Sequence, residues 1–146
     1  NLTGVDFDPV FIEDGKKIPD SRWPINLHVP DILDVPVQGS FDGIYSLDVM
    51  EHIAADREHE YIENILHSLT DDGTLIVGMP SLESQDYASP ASKAGHINCK
   101  SGPDLKMIFE QYFHSTLLFS MNDEVVHTGF HAMAHYLFVI CSGKKR

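Results

Sequence analysis

Two apolar runs, FDGIYSL at 41–47 and TLIVGM at 74–79, flank one segment, 56–69, that follows a helical period. In that segment Ile62, Ile65, Leu66 and Leu69 fall on one face, and Asp56, Arg57, Glu58 and Glu60 fill the polar first turns. A strand as uniformly apolar as TLIVGM is stable where both faces are covered, as in a parallel sheet between helices. Upstream, Leu2 to Asp6 reads as a short strand entering an acid-rich turn before Pro9. Residues 14–24 read as a loop, with one helical turn before it. Ile25 to Val29 alternates like a strand, and Pro30 stops it. The turn formers DDG at 71–73 are expected to end the helix. Residues 80–98 form a loop of about 19 residues, a length usually tied to function or to mobility. A further helix starts at Ser101, with Pro103 and Asp104 as start signals and Leu105, Ile108, Phe109 and Tyr112 or Phe113 on its apolar face. His114 to Phe119 and Ala134 to Cys141 close the chain as strands around a turn region at 122–131. The fold class is α/β: a mostly parallel sheet with an antiparallel C-terminal pair.

At 146 residues the chain has room for one domain, spanning 1–146, and its apolar fraction of 42% is ordinary for a globular protein. No apolar run approaches the roughly 20 residues that span a bilayer, so no membrane partner is expected. Cys99 and Cys141 lie far apart without disulfide or metal-knuckle spacing, which fits a reducing cytoplasm. Twenty-two acids against ten bases give a formal charge of −12, which repels phosphate backbones and argues against nucleic acid. The basic tail Lys144, Lys145, Arg146 is too short to reverse that.

In open α/β sheets, ligands lie outside the carboxyl ends of the strands. Each of the first three strands ends beside an acid: Asp6, Asp31 and Asp48. Any one of them is explained by the preference of acids for turns and helix starts; three at one sheet edge form a candidate site.

The order of motifs resembles the class I S-adenosylmethionine-dependent methyltransferases over almost the whole chain, residues 2 to about 142. TGVDFDP is similar to that family's second strand, whose terminal acid holds the cofactor's ribose hydroxyls, which implies Asp6 with its neighbour Phe7. VPDILDVP is similar to the segment after its third strand, which implies that Asp31 takes the adenine amino group and Ile32 packs on the ring. FDGIYSLDVMEHI resembles its strand-four signature, with Leu47 and Asp48 bordering the methionine part; this motif is the most specific of the set. DDGTLIVGMPS resembles strand five, and GHINCKSGPDLKMIFEQYF the following loop and helix. The resemblance implies S-adenosylmethionine as cofactor and, with the acidic surface, a small-molecule acceptor. A carboxylate accepts two hydrogen bonds at once, which suits a vicinal diol.

The family's glycine-rich loop, GxGxG after its first strand, is absent: none of the ten glycines lies two residues from another. With no initiating methionine either, the chain is expected to lack its N-terminal strand, loop and helix, as a fragment or a shortened homologue. The alternative function is a non-catalytic interaction module that forms a homodimer through the sheet edge left by the missing strand.

His127, His131 and His135 are spaced four apart, but Gly129 and the β-like run after it argue against the helix a metal site would need; no metal is assigned. His96, in the long loop, is the candidate general base. Glu51 and His52 are expected to cap and orient a helix start. Met50, Phe109, Phe113 and Trp23 are expected to pack in the core or at its rim.

Overall fold

The computed structural model describes residues 1–18, 24–122, 125–127 and 131–145, with the side chain of His127 outside what is described. Trp23 and Arg146 lie outside it as well. The chain divides into two compact units. The smaller comprises Asn1–Gly39 and His59–Ser68, the larger Ser40–Glu58 and Leu69–Arg146.

In the smaller unit, β1 (Leu2–Val5) and β2 (Ile25–His28) form a two-stranded parallel sheet, with Val5 opposite His28. Between them, α1 spans Pro9–Lys16. The sequence suggested one helical turn before a loop beginning at Asp14; the helix instead continues to Lys16. Pro9 is its first residue, where the missing N–H costs no bond and the fixed φ suits helix entry. Asp8 caps it by accepting from the Val10 N–H at 2.8 Å. The helix α2 (Glu58–Ser68) turns Tyr61, Ile62 and Ile65 inward. It fixes the chain after β2 through the Asn64 side-chain amide, which donates to the Ile32 carbonyl at 2.7 Å, and the Ser68 hydroxyl, which donates to the Val37 carbonyl at 3.0 Å.

The larger unit is a five-stranded sheet. In chain order its strands are β3 (Phe41–Leu47), β4 (Leu69–Pro80), β5 (Phe113–Asn122), β6 (Val125–His127) and β7 (Tyr136–Lys144); in space they run β3-β4-β7-β5-β6. β3 and β4 are parallel, and the pairings of β4 with β7, β7 with β5 and β5 with β6 are antiparallel. The DDG at 71–73 does not end a helix but lies inside β4. Phe41 faces Leu69 and Gly43 faces Thr74, so the extra residues of β4 are absorbed in a bulge that leaves both aspartates exposed. Residues 122–131, expected as a turn region, contribute β6. Leu75, Val77 and Met79 of β4 and Leu137, Val139 and Cys141 of β7 are fully buried on one face. Against them lie Leu105 and Phe109 of α4 (Gly102–Glu110), together with Phe113. Ser101 caps α4 by accepting from the Asp104 N–H at 3.3 Å, as its sequence signals predicted. The cross-strand rings Phe119 and Phe138 stack at 5.3 Å. Met50, Phe109 and Phe113 are core residues.

The long segment after β4 is not structureless. It holds a 3₁₀ turn at Glu83–Tyr87 and the short α3 (Pro90–Gly95), and returns to the sheet where Ser81 pairs with Lys100.

Candidate functional site

In the smaller unit the acids leave from the carboxyl end of one parallel pair. Asp6 follows β1 directly, and its N–H donates to the His28 carbonyl at the end of β2 at 3.3 Å. Its carboxylate accepts from the Asp8 N–H at 2.8 Å, and Asp31 likewise accepts from Leu33 at 2.9 Å. Both are the local turns that aspartate favours. Asp6, Asp31 and Ile32 are half-buried, and Phe7 is exposed.

In the larger unit the parallel register places Leu47 of β3 opposite Gly78 of β4, so both strands point the same end toward the residues that follow. The antiparallel β7 starts at that end, with Tyr136 opposite Pro80. Asp48 sits there at φ 56, a left-handed backbone that aspartate tolerates better than most side chains, and its N–H donates to the Gly78 carbonyl at 3.1 Å. A Cβ on Gly78 would meet Leu47 Cδ2 and the Tyr136 ring at 2.8 Å. The glycine lets Tyr136 cross close to the strand and bond the Asp48 carboxylate with its hydroxyl. Burial and that neighbouring carboxylate push the Tyr136 hydroxyl well above its ordinary pKa, so it stays a donor.

The backward bend at Asp48 leads into a single 3₁₀ turn, Met50–His52. Met50 points into the core, and Glu51 is as buried as Met50. No side chain caps this turn, and both Glu51 carboxylate oxygens are buried without a hydrogen-bond partner. The capping role expected of Glu51 is therefore not what the side chain does, because it is directed inward rather than back along the turn. Burial raises its pKa; its own backbone and the His52 ring pull the other way, and Asp48 adds to the rise. His52 Nε2 lies 3.8 Å from Glu51 Oε1.

The segment after β4 brings the next residues. The Asn98 N–H donates to the Glu51 backbone carbonyl at 3.0 Å, and the Asn98 side chain and Lys100 both bond Glu58 Oε2, at 2.9 and 2.8 Å. This clamp sets His96 beside His52, ring centroids 5.1 Å apart and edge to face. The ligand atoms of Glu51, His52 and His96 all lie within 4.8 Å of one another, the one such group among the described residues. His131 sits in a 3₁₀ turn and His135 just before β7, so they share no helix face.

A methyltransferase domain family matches residues 1–77, more than half the chain. The chain belongs to the methyltransferase domain family. An uncharacterized methyltransferase of Staphylococcus carnosus (strain TM300) is 27% identical over 75 residues, 51% of this chain but 36% of that protein, so the match spans well under two thirds of its relative. Among solved structures, the Haloferax volcanii complex between the Trm112 methyltransferase activator and a protein assigned as a methyltransferase aligns with a TM-score of 0.77 at 16% identity. That alignment covers 98% of this chain and 72% of the other. The N-methyltransferase NodS of Bradyrhizobium japonicum WM9, in complex with S-adenosyl-L-homocysteine, gives 0.66 at 18% identity, covering 97% of this chain and 66% of NodS. At such identities the likeness is one of fold.

In this methyltransferase-family chain, Asp6, Phe7, Asp31 and Ile32 belong to the smaller unit, and Leu47, Asp48 and His96 to the larger. Leu47 and Asp48 are exposed, and His96 is half-buried. Sequence reasoning missed Tyr136 and Gln85. Tyr136 carried a signal only in hindsight, as a polar aromatic at the start of an otherwise apolar strand; Gln85 carried none.

Among the described residues, no helix is long and apolar enough to cross a membrane.

Proposed function

We propose that residues 1–146 are one partial domain of an S-adenosylmethionine-dependent methyltransferase acting on a small-molecule acceptor. The observation that carries this is the family match over 1–77, the span that holds β1 to β3, most of β4 and the three aspartates following the first three strands. Asp6, with Phe7 beside it, takes the ribose diol, Asp31 the adenine amino group, and Ile32 the face of the ring. Leu47 and Asp48 border the methionine part. The reaction is an in-line displacement: a lone pair of the acceptor forms a bond to the methyl carbon as the carbon–sulfur bond breaks, and those electrons return the sulfonium to a thioether. Most of the rate comes from alignment and exclusion of water. His96 supplies a basic nitrogen on the acceptor side. The formal charge of −12 supports a small acceptor over a nucleic acid.

Calorimetry with S-adenosylmethionine and its demethylated product tests this. Binding that is lost in Asp6→Ala and in Asp31→Ala is expected; absence of heat with both ligands, for this chain and for any longer protein that contains it, overturns the reading.

A second reading is favoured by one observation. β3 is the edge of the five-stranded sheet, on its parallel side, where sheets are normally covered, and it exposes Tyr45 and Leu47. A homodimer through that edge predicts a dimeric mass in sizing chromatography, reduced to a monomer by Tyr45→Lys.

A further inference from the structure

The feature that methyl transfer leaves unexplained is Glu51. A buried carboxylate with neither oxygen satisfied is costly, and such groups persist where a ligand completes them. The imidazole arrangement around it says which ligand. His52 Nδ1 lies 2.9 Å from the Gly95 carbonyl oxygen, which only accepts, so Nδ1 carries the hydrogen. His96 Nδ1 lies 2.9 Å from Gln85 Oε1. The Gln85 amide nitrogen is committed to the Ser81 carbonyl at 3.2 Å, which fixes its oxygen as the atom facing His96. In the neutral rings both lone pairs therefore sit on Nε2. An imidazole whose Nδ1–H is held by an oxygen acceptor is the arrangement found behind metal-bound histidines.

We propose that Glu51, His52 and His96 bind one divalent transition-metal cation, through a carboxylate oxygen and the two Nε2 atoms. Two imidazoles and one carboxylate favour Mn²⁺ to Zn²⁺ over Mg²⁺ or Ca²⁺, which prefer all-oxygen shells. Bonds of about 2.1 Å place ligand atoms roughly 3 to 3.5 Å apart. The present spread of up to 4.8 Å closes by rotation of side chains, of which His52 is half exposed. The remaining positions are left to water or to an oxygen-bearing acceptor. With a cation bound the His96 lone pair is occupied, so the acceptor-side role given to His96 above belongs to the metal-free chain. The site stands apart from the cofactor reading, since a titration with metal alone detects it.

The test is calorimetry of the full chain with MnCl₂ and with ZnCl₂, without added cofactor. One equivalent is expected to bind, at least tenfold more weakly in Glu51→Gln and in His96→Gln, unchanged within twofold in the exposed His114→Gln, and with Mg²⁺ at least tenfold weaker than Mn²⁺. Glu51→Gln keeps the side-chain shape, and far-ultraviolet circular dichroism confirms that each variant is folded. No binding of either metal, binding within twofold of the parent in both variants, or Mg²⁺ as tight as Mn²⁺ overturns the proposal.

Discussion

The acids after β1 and β2 and Glu51, three residues past the aspartate that follows β3, are close in pattern and opposite in circumstance. Asp6 and Asp31 are half-buried, and each accepts a backbone N–H two residues on, so the turn itself accounts for them. Glu51 is fully buried, and the turn does nothing for it. A satisfied acid is silent about function because local geometry already explains its presence. An unsatisfied one points to something that arrives from outside. Glu58 sharpens the contrast within the larger unit: it too is mostly buried, yet it holds Lys100 and Asn98. Two glutamates seven residues apart should therefore respond to the same substitution with opposite signs.

The largest effect is expected at Asp6. Asparagine keeps the oxygen that accepts from the Asp8 N–H, so Asp6→Asn should alter stability by less than about 0.5 kcal/mol. It gives up the charge and the second acceptor oxygen for the diol, so the dissociation constant for S-adenosylmethionine should rise about 30- to 100-fold. If binding were unchanged, Asp6 would be a turn former and nothing else. Next in size is Glu58→Gln, which leaves the Lys100 ammonium with 17% side-chain exposure and without its counter-charge; a loss of about 2 kcal/mol in urea unfolding is expected. A smaller effect separates Cys141 from both acids. Burial pushes its thiol from its ordinary value of 9.0 up to about 12. The folded state thus keeps a proton that the unfolded chain releases above pH 9, and stability falls as pH rises from 9 toward 12. Cys141→Val should remove a slope of roughly 1.4 kcal/mol per pH unit in that window.

The strand ends and the core helix were legible in the sequence for identifiable reasons. Phe41 to Leu47 is bounded by turn formers, TLIVGM has nearly no polar interruption, and Ser101, Pro103 and Asp104 mark a helix start with their own hydrogen bonds. The sequence misled where one residue type serves two geometries. Asp14 to Lys16, read as loop, complete the helix that Pro9 opens, and DDG bulges within β4 instead of ending α2, between the pairings of Leu69 with Phe41 and of Thr74 with Gly43. The candidate site was half legible. Asp48, Glu51, His52 and His96 stand out by residue type, but burial and the tautomers decide their roles. Those depend on Asn98 clamping the long segment to the distant Glu51 carbonyl and on Gln85, 11 residues before it, orienting His96.

The direct measurement is the thermal midpoint of Glu51→Gln against the parent chain in a metal-chelating buffer at neutral pH. Because burial raises the folded pKa of Glu51, its ionisation opposes folding, and stability falls as pH climbs out of the ordinary carboxylate range. Removing the charge should stabilise the metal-free chain by about 1 to 3 kcal/mol, a rise on the order of 5 °C. A midpoint that falls instead would mean that the carboxylate already has its partner within the fold, and would contradict a site kept open for a cation.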